Sequence, residues 1–226
     1  MRNIGYFQKS TAEFSENYIA NAVIEILYPD GSHLGNGLLL TQDGYFLTCD
    51  HCLIYPPGIM KLRMSDGRTS SRARICVRDP DHDLALCKIP LSGDECNCFK
   101  FYVPPEKKLS QPIIYLGRRG ERLVRKEGNF TGSIFNTVCH TVVNEYSVKG
   151  ESIIRCQKYT STQYYGHFNM NIDAAVGDSG GVVITPDGSL VGLLSAVCLF
   201  KDKNFSAAAR LGDALPIIWE YVSACI

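Results

Sequence analysis

Apolar residues in this chain fall in short runs rather than long amphipathic stripes. Residues 22–28, 37–40, 45–48, 84–89, 112–116, 182–184 and 190–197 are each a few residues long and rich in Val, Ile, Leu, Phe or Tyr. Short apolar runs bounded by turn residues predict strands. Asp30-Gly31, Asp43-Gly44, Asp66-Gly67 and Asp187-Gly188 supply such turns, because Asp-Gly tolerates positive φ and suits hairpins. Many short strands at this spacing predict an all-β protein of barrels or sandwiches. The period changes near the C-terminus. Leu215, Ile218, Trp219 and Val222 follow the spacing of an amphipathic helix, with Asp213 as cap and Pro216 in the first turn. Residues 103–112 carry prolines and charges that break strands, so they read as a linker between a half at 1–105 and a half at 112–226. No internal repeat, low-complexity tract or heptad pattern is present.

The chain has 226 residues, of which 45% are hydrophobic and 20% charged, the balance of an ordinary globular protein. Lys and Arg total 23, and so do Asp and Glu. That balance argues against a nucleic-acid binder, which needs clustered positive charge. The one basic cluster, Arg118, Arg119, Arg122, Arg125 and Lys126, is interrupted by Glu121 and Glu127 and reads as a solvated loop. No stretch approaches the roughly 18 apolar residues of a membrane span, so no membrane partner is expected. The first nine residues lack the apolar core of a secretory signal.

Three segments carry chemistry. Cys49-Asp50-His51-Cys52 offers a histidine, His82-Asp83-Leu84-Ala85-Leu86 an aspartate before an apolar strand, and Gly177-Asp178-Ser179-Gly180-Gly181 a serine in a tight glycine-rich turn. A serine hydroxyl is a weak nucleophile near neutrality. It needs a base to take its proton and a third group to orient that base. His51 suits the base, because histidine titrates near neutrality. Asp83 is preferred over Asp79 and Asp81 as the orienting group, because the apolar run follows it directly. Metal binding is the alternative: Cys49, His51 and Cys52, with Cys96 and Cys98, could form a structural zinc site, although Cys-x-Cys is not the usual spacing.

At these residues the chain resembles the trypsin/chymotrypsin-like serine proteases, and it looks closest to their high-temperature-requirement (HtrA-like) branch. Residues 35–48 are similar to that branch's glycine-rich strand, Asp-Gly turn and strand before the histidine. Residues 83–89 are similar to its aspartate strand, and 191–196 to the strand lining its substrate cleft. The segment between Gly120 and Gly166 is matched only loosely. The resemblance implies one peptidase domain over 1–226, built as two Greek-key antiparallel β-barrels closed by the C-terminal helix. It implies a serine endopeptidase with Ser179 as nucleophile, His51 as general base and Asp83 orienting it. The N–H groups of Gly177 and Ser179 would form the oxyanion hole, and no cofactor or metal is expected.

Ser195 matches a family serine that anchors the aspartate, and Leu194, Ser195, Ala196 and Val197 would pair with an extended protein or peptide substrate. Val197 stands where trypsins carry a glycine at the pocket mouth. Asp173 lies six residues before Ser179. It resembles both the pocket-base aspartate of trypsins, which select Arg or Lys, and the Asp-Ala-Ala run of the HtrA branch, which prefers small aliphatic side chains. Asp178 matches a trypsin aspartate that pairs with an N-terminal amine freed by cleavage. No matching start is present here, so Asp178 needs another donor, or a regulatory partner activates the site. Nothing follows the C-terminal helix, so no accessory peptide-binding domain is expected.

The ten cysteines would ordinarily suggest disulfides. Cys52 matches a trypsin half-cystine, but no cysteine stands near Asn36, where its partner would lie. Reduced thiols and a cytoplasmic setting are expected. Two further readings stay open: a protease-fold binding module that no longer cuts, and the zinc-binding structural protein.

Overall fold

The computed structural model describes residues 16–41, 43–53, 60–91, 110–149, 152–200, 203–210 and 212. It opens on a short helix, α1 (Glu16–Ala22), followed by β1 (Val23–Leu27), β2 (His33–Leu39), β3 (Tyr45–Thr48), β4 (Lys61–Arg63), β5 (Thr69–Ser70), β6 (Arg74–Asp79) and β7 (Leu84–Lys88). Then come β8 (Pro112–Arg119), β9 (Arg122–Lys149), β10 (Ser152–Met170), β11 (Val182–Ile184), β12 (Leu190–Phe200) and β13 (Lys203–Arg210). Strands β1–β7 form a curled seven-stranded sheet in the order β5-β4-β1-β2-β3-β7-β6. Strands β8–β13 close into a six-stranded barrel, β10-β13-β12-β11-β8-β9. All of these pairs are antiparallel. This is the expected double-barrel architecture, with the first barrel present as a half-barrel sheet.

The continuous apolar runs in the second half have a specific cause. Side chains alternate across a strand, and the barrel wall is apolar on both faces. Along β8, Ile113 and Tyr115 pack inside the barrel with Phe168 and Met170. Ile114 and Leu116 face the other way and join the core of the first sheet, which contains Val23, Leu38 and Phe46. In β11, Val183 faces the barrel interior while Val182 and Ile184 belong to the shared core. Arg118 seals one edge of this junction. It is buried, and its guanidinium donates to Ala20 O and Val23 O, both at 3.0 Å. Ala20 lies in the last turn of α1, where a cation is favoured, and Val23 opens β1.

The long β9–β10 hairpin was not foreseen. Its segment is rich in Thr, Val and Tyr, residues that favour strands, but it matches the resembled family poorly. The reading of Arg118, Arg119, Arg122, Arg125 and Lys126 as a solvated loop is overturned. These residues end β8 and begin β9, joined by a tight turn at Gly120. The linker residues 103–109, the helix built on Leu215, Ile218, Trp219 and Val222, and Cys96 and Cys98 lie outside the described residues.

Because Leu116 packs from the barrel wall into the core of the first sheet, Leu116→Ala should destabilise both together. The expected loss is about 2–5 kcal/mol, as one cooperative transition in denaturant. Two separated transitions, one of them unshifted, would contradict a shared core.

Candidate active site

Asp83 sits at the end of the turn before β7, in the left-handed region at φ 54. Aspartate is one of the few residues with a side chain that tolerates this conformation. The turn drives its carboxylate inward, to 0% exposure. His51 lies in a short 3-10 turn, residues Asp50–Cys52, directly after β3. Arg78 of β6 grips that turn by donating to both Asp50 carboxylate oxygens, at 2.6 and 2.9 Å. The His51 ring Nδ1–H then donates to Asp83 Oδ2 at 2.8 Å, and its main-chain N–H donates to Oδ1 at 3.0 Å. The Ser195 hydroxyl donates a further short hydrogen bond to Oδ2. Burial alone would raise the Asp83 carboxyl, but attraction to His51 and these donors hold it below its ordinary value. Burial also opposes charge on His51, yet the Asp83 carboxylate wins and raises the ring well above its ordinary 6.5. The competing aspartates are engaged elsewhere. Asp79 bonds His82 at 2.8 Å, and the Asp81 carbonyl accepts from Tyr165 N.

Ser179 is brought to this pair from the barrel side. Its hydroxyl donates to Ser195 O at 3.4 Å, so Ser195 touches both Asp83 and Ser179. Ser195 can do this because β12 bulges there. Leu194 pairs Ala208 and Ala196 pairs Ala207, leaving Ser195 as the extra residue. Ser179 also meets the first sheet, through Asn36 N donating to Ser179 O at 2.7 Å. Contact is close enough to require glycine. A Cβ on Gly35 would lie 2.9 Å from both Cys52 Sγ and Ser179 O. One on Gly180, at φ +78, would lie 1.9 Å from Asn36 O.

The turn before Ser179 is tied by its carbonyls. Val176 O accepts from Arg119 Nη2 at 3.1 Å. Gly177 O faces His33 Nε2 at 2.7 Å and accepts from Asn36 Nδ2 at 3.1 Å. Asp178 O accepts from the Tyr115 hydroxyl at 3.0 Å. In a trans peptide the N–H points opposite the C=O. Arg119 therefore turns the Gly177 N–H away from itself, and Tyr115 does the same for the Ser179 N–H. Among the described residues, neither N–H donates to a protein acceptor. The buried Asp178 carboxylate accepts from Lys126 Nζ at 2.6 Å and from Ala175 N at 2.8 Å, with Arg119 at 3.9 Å. The donor that Asp178 required is thus a lysine of β9.

Sequence reasoning missed Lys126, Arg119, Tyr115, Asn36 and His33. Asn36 lies inside the glycine-rich stretch Gly35-Asn36-Gly37. The cations carried no local signal, because their targets are some fifty residues away in the chain (Lys126 to Asp178 spans 52).

The expected substrate-side residues are placed as follows. Leu194 and Ser195 are buried, Ala196 is half-buried and Val197 is exposed. Pairing of β11 with β12 ends at Leu193, and the turn at Gly180 and Gly181 takes both main-chain groups of Leu194. Beyond that point β12 pairs only with β13 among the described residues, leaving its other edge open. Asp173 is exposed, and its carbonyl accepts from Lys126 Nζ at 2.7 Å.

Metal-ligand atoms also meet here. One each from Cys49, His51 and Asp83 lie within 4.8 Å of one another. All have hydrogen-bond roles already, Cys49 Sγ donating to Leu194 O at 3.2 Å. Burial pushes the Cys49 thiol well up, which disfavours the thiolate a metal would need. Among the described residues, Cys49, Cys52, Cys76 and Cys87 form no disulfide.

The family model for the trypsin-like peptidase domain matches residues 35–193. The chain is 26% identical over 168 residues to a probable periplasmic serine endoprotease, DegP-like, of Pseudomonas fulva, covering 74% of this chain and 30% of that protein. A namesake from Marinomonas sp. is 26% identical over 166 residues, with the same coverage. The chain thus spans under a third of these relatives' length. Among solved structures, it is similar to the MamO protease domain of Magnetospirillum magneticum, at TM-score 0.66 and 16% identity, covering 88% of this chain and 97% of that one. It is similar as well to the serine endoprotease of Yersinia pestis, at TM-score 0.65 and 16% identity, covering 92% and 66%.

The Asp83 carboxyl is depressed in the folded state, so its stabilising contribution is full above the unfolded value near 4 and declines as pH falls through the lower folded value. Asp83→Asn should therefore flatten the loss of stability below about pH 4, read by urea melts from pH 2 to 6. An acid limb as steep as that of the wild type would contradict the pairing.

Proposed function

Because the chain belongs to the trypsin-like peptidase family, we propose that it is a serine endopeptidase acting through His51, Asp83 and Ser179. The observation that carries this reading is the buried Asp83 carboxylate. It holds His51 Nδ1 at 2.8 Å and is bonded to Ser195, which in turn contacts Ser179. With Nδ1–H committed to Asp83, neutral His51 has its lone pair on Nε2. His51 Nε2 takes the Ser179 proton as Oγ attacks the peptide carbonyl carbon. The resulting oxyanion is stabilised by the N–H groups of Gly177 and Ser179, whose directions are supported by Arg119 and Tyr115. The C–N bond then breaks as His51 protonates the leaving amine. Water attacks the acyl ester, gives its proton to His51, and the hydroxyl of Ser179 is restored as the acid product leaves.

The substrate is a protein or peptide in extended form, pairing with β12 at Leu194, Ser195, Ala196 and Val197. The open edge of that strand supports this. Asp173 is the specificity candidate for basic side chains, and a preference for small aliphatic ones is the competing outcome; cleavage-site profiling with a peptide library separates them. A reducing, cytoplasmic setting is proposed on the free thiols. The relatives are named periplasmic, so cell fractionation decides the matter.

Ser179→Ala should abolish labelling by a fluorophosphonate probe without loss of fold; undiminished labelling would sink the assignment. Asp83→Asn should lower turnover by roughly 10⁴. Raised basicity of His51 predicts the pH profile as well. The ring must be neutral to accept a proton, so kcat/KM should climb with pH through a midpoint above 6.5. A midpoint below that value would contradict the pairing with Asp83.

A further inference from the structure

We infer that Lys126 is a positioning residue whose ammonium, by holding the buried Asp178 carboxylate, keeps the turn at residues 175–179 assembled in the intact chain. The inference rests on the peptidase reading above, since that turn supplies the Gly177 and Ser179 N–H groups.

The geometry is specific. Lys126 Nζ donates to Asp178 Oδ2 at 2.6 Å and to Asp173 O at 2.7 Å, so one ammonium ties both ends of the segment before Ser179. The same Asp178 oxygen accepts from Ala175 N at 2.8 Å, which closes the turn on itself. Asp178 is 5% exposed at its side chain, and Lys126 is 24% exposed. A carboxylate buried to that degree without a cation is strongly unfavourable. Arg119 is a poor substitute, at 3.9 Å from Oδ1 and 53% exposed.

The origin of the cation matters as much as its distance. Lys126 stands directly opposite Tyr115 in the β8–β9 register. Tyr115 is the residue whose hydroxyl bonds Asp178 O. Adjacent positions on two paired strands of a closed barrel therefore grip the side chain and the main chain of one residue. The grip needs no freed chain end and no second protein. Removing the ammonium would leave Asp178 free to seek water. The Asp178–Ser179 peptide would turn with it, and the Ser179 N–H would lose its direction.

The experiment compares Lys126→Met, Lys126→Arg and the control Arg125→Met in the full chain. Arg125 neighbours Lys126 but bonds Glu127 at 2.5 Å instead. Lys126→Met should lower kcat on a peptide substrate by roughly 10-fold to 10²-fold, approaching the loss of one oxyanion donor, with KM changed much less. Lys126→Arg should recover a large part of that loss, and Arg125→Met should match the wild type. Amide exchange reads the turn without reference to activity. It should quicken in Lys126→Met over residues 173–181 and stay unchanged across β1–β7. Unchanged kcat together with unchanged exchange in a folded Lys126→Met would overturn the inference while leaving the peptidase reading intact. If the wild type neither cleaves nor labels, yet exchange quickens only over 173–181, the peptidase reading falls and the role of Lys126 in holding the turn stands. Exchange that quickens over the whole chain in Lys126→Met, and equally in Lys126→Arg, would also overturn it, by making Lys126 a general stabiliser.

Discussion

One buried negative charge organises the centre of this protein. Asp83 has no exposed surface, and an unpaired carboxylate at such a place would be neutral or would unfold its surroundings. It stays ionised because donors converge on it from separate parts of the chain: the main chain and ring of His51 and the hydroxyl of Ser195. Each donor is held by its own local structure. The His51 turn is anchored by the Asp50–Arg78 pair, and Ser195 is aimed by a bulge in β12. The charge thus fixes the relation between a turn of the first sheet and a strand of the barrel. It also sets the proton affinity of His51, so the same contact that orders the fold tunes the chemistry.

That contact could not persist if the two sheets moved independently. Their junction is apolar, with Ile114, Leu116, Val182 and Ile184 of the barrel wall packed into the core of the first sheet. Direction comes from Asn36. Its main-chain N–H donates to Ser179 O, its Oδ1 accepts from Arg118 N at 2.6 Å, and its Nδ2 donates to Gly177 O. A buried polar network of this kind tolerates little displacement, since each lost bond leaves a buried group unsatisfied. His33 extends the network from Gly177 O to Glu25, which Arg63 and Gly120 N also bond. Apolar burial supplies most of the cohesion, and the polar seam fixes the register in which the halves meet.

The all-β class and the candidate residues His51, Asp83 and Ser179 were legible because their signals are local. A glycine-rich turn around a serine, or an aspartate before an apolar strand, is visible within five residues. Ser195 was legible only through resemblance, since no local pattern marks a bulge. The supporting side chains were not legible. Lys126 and Arg119 looked like solvated cations because the carboxylate and carbonyl they meet are remote in the chain. His33 carried no local sign of its contact with Gly177 O. The β9–β10 hairpin was hidden for another reason. Its Thr, Val and Tyr content favours strands, but long strands without frequent turn residues do not punctuate a sequence.

The serine turn shows why such support must come from a distance. The Gly177 and Ser179 N–H groups donate to no protein acceptor among the described residues, and a short turn has few other bonds to make. Its carbonyls and the Asp178 carboxylate are the handles by which the sheets hold it. Val176 O, Gly177 O, Asp178 O and the Asp178 carboxylate each meet a side chain rooted in a sheet: Arg119 and Tyr115 on β8, Lys126 on β9, His33 and Asn36 on β2. Preorganised donors are effective because they need not reorient as charge develops. Here that rigidity is borrowed from two β structures at once, so the turn's geometry is a property of how they pack and not of the Gly-Asp-Ser-Gly-Gly sequence alone.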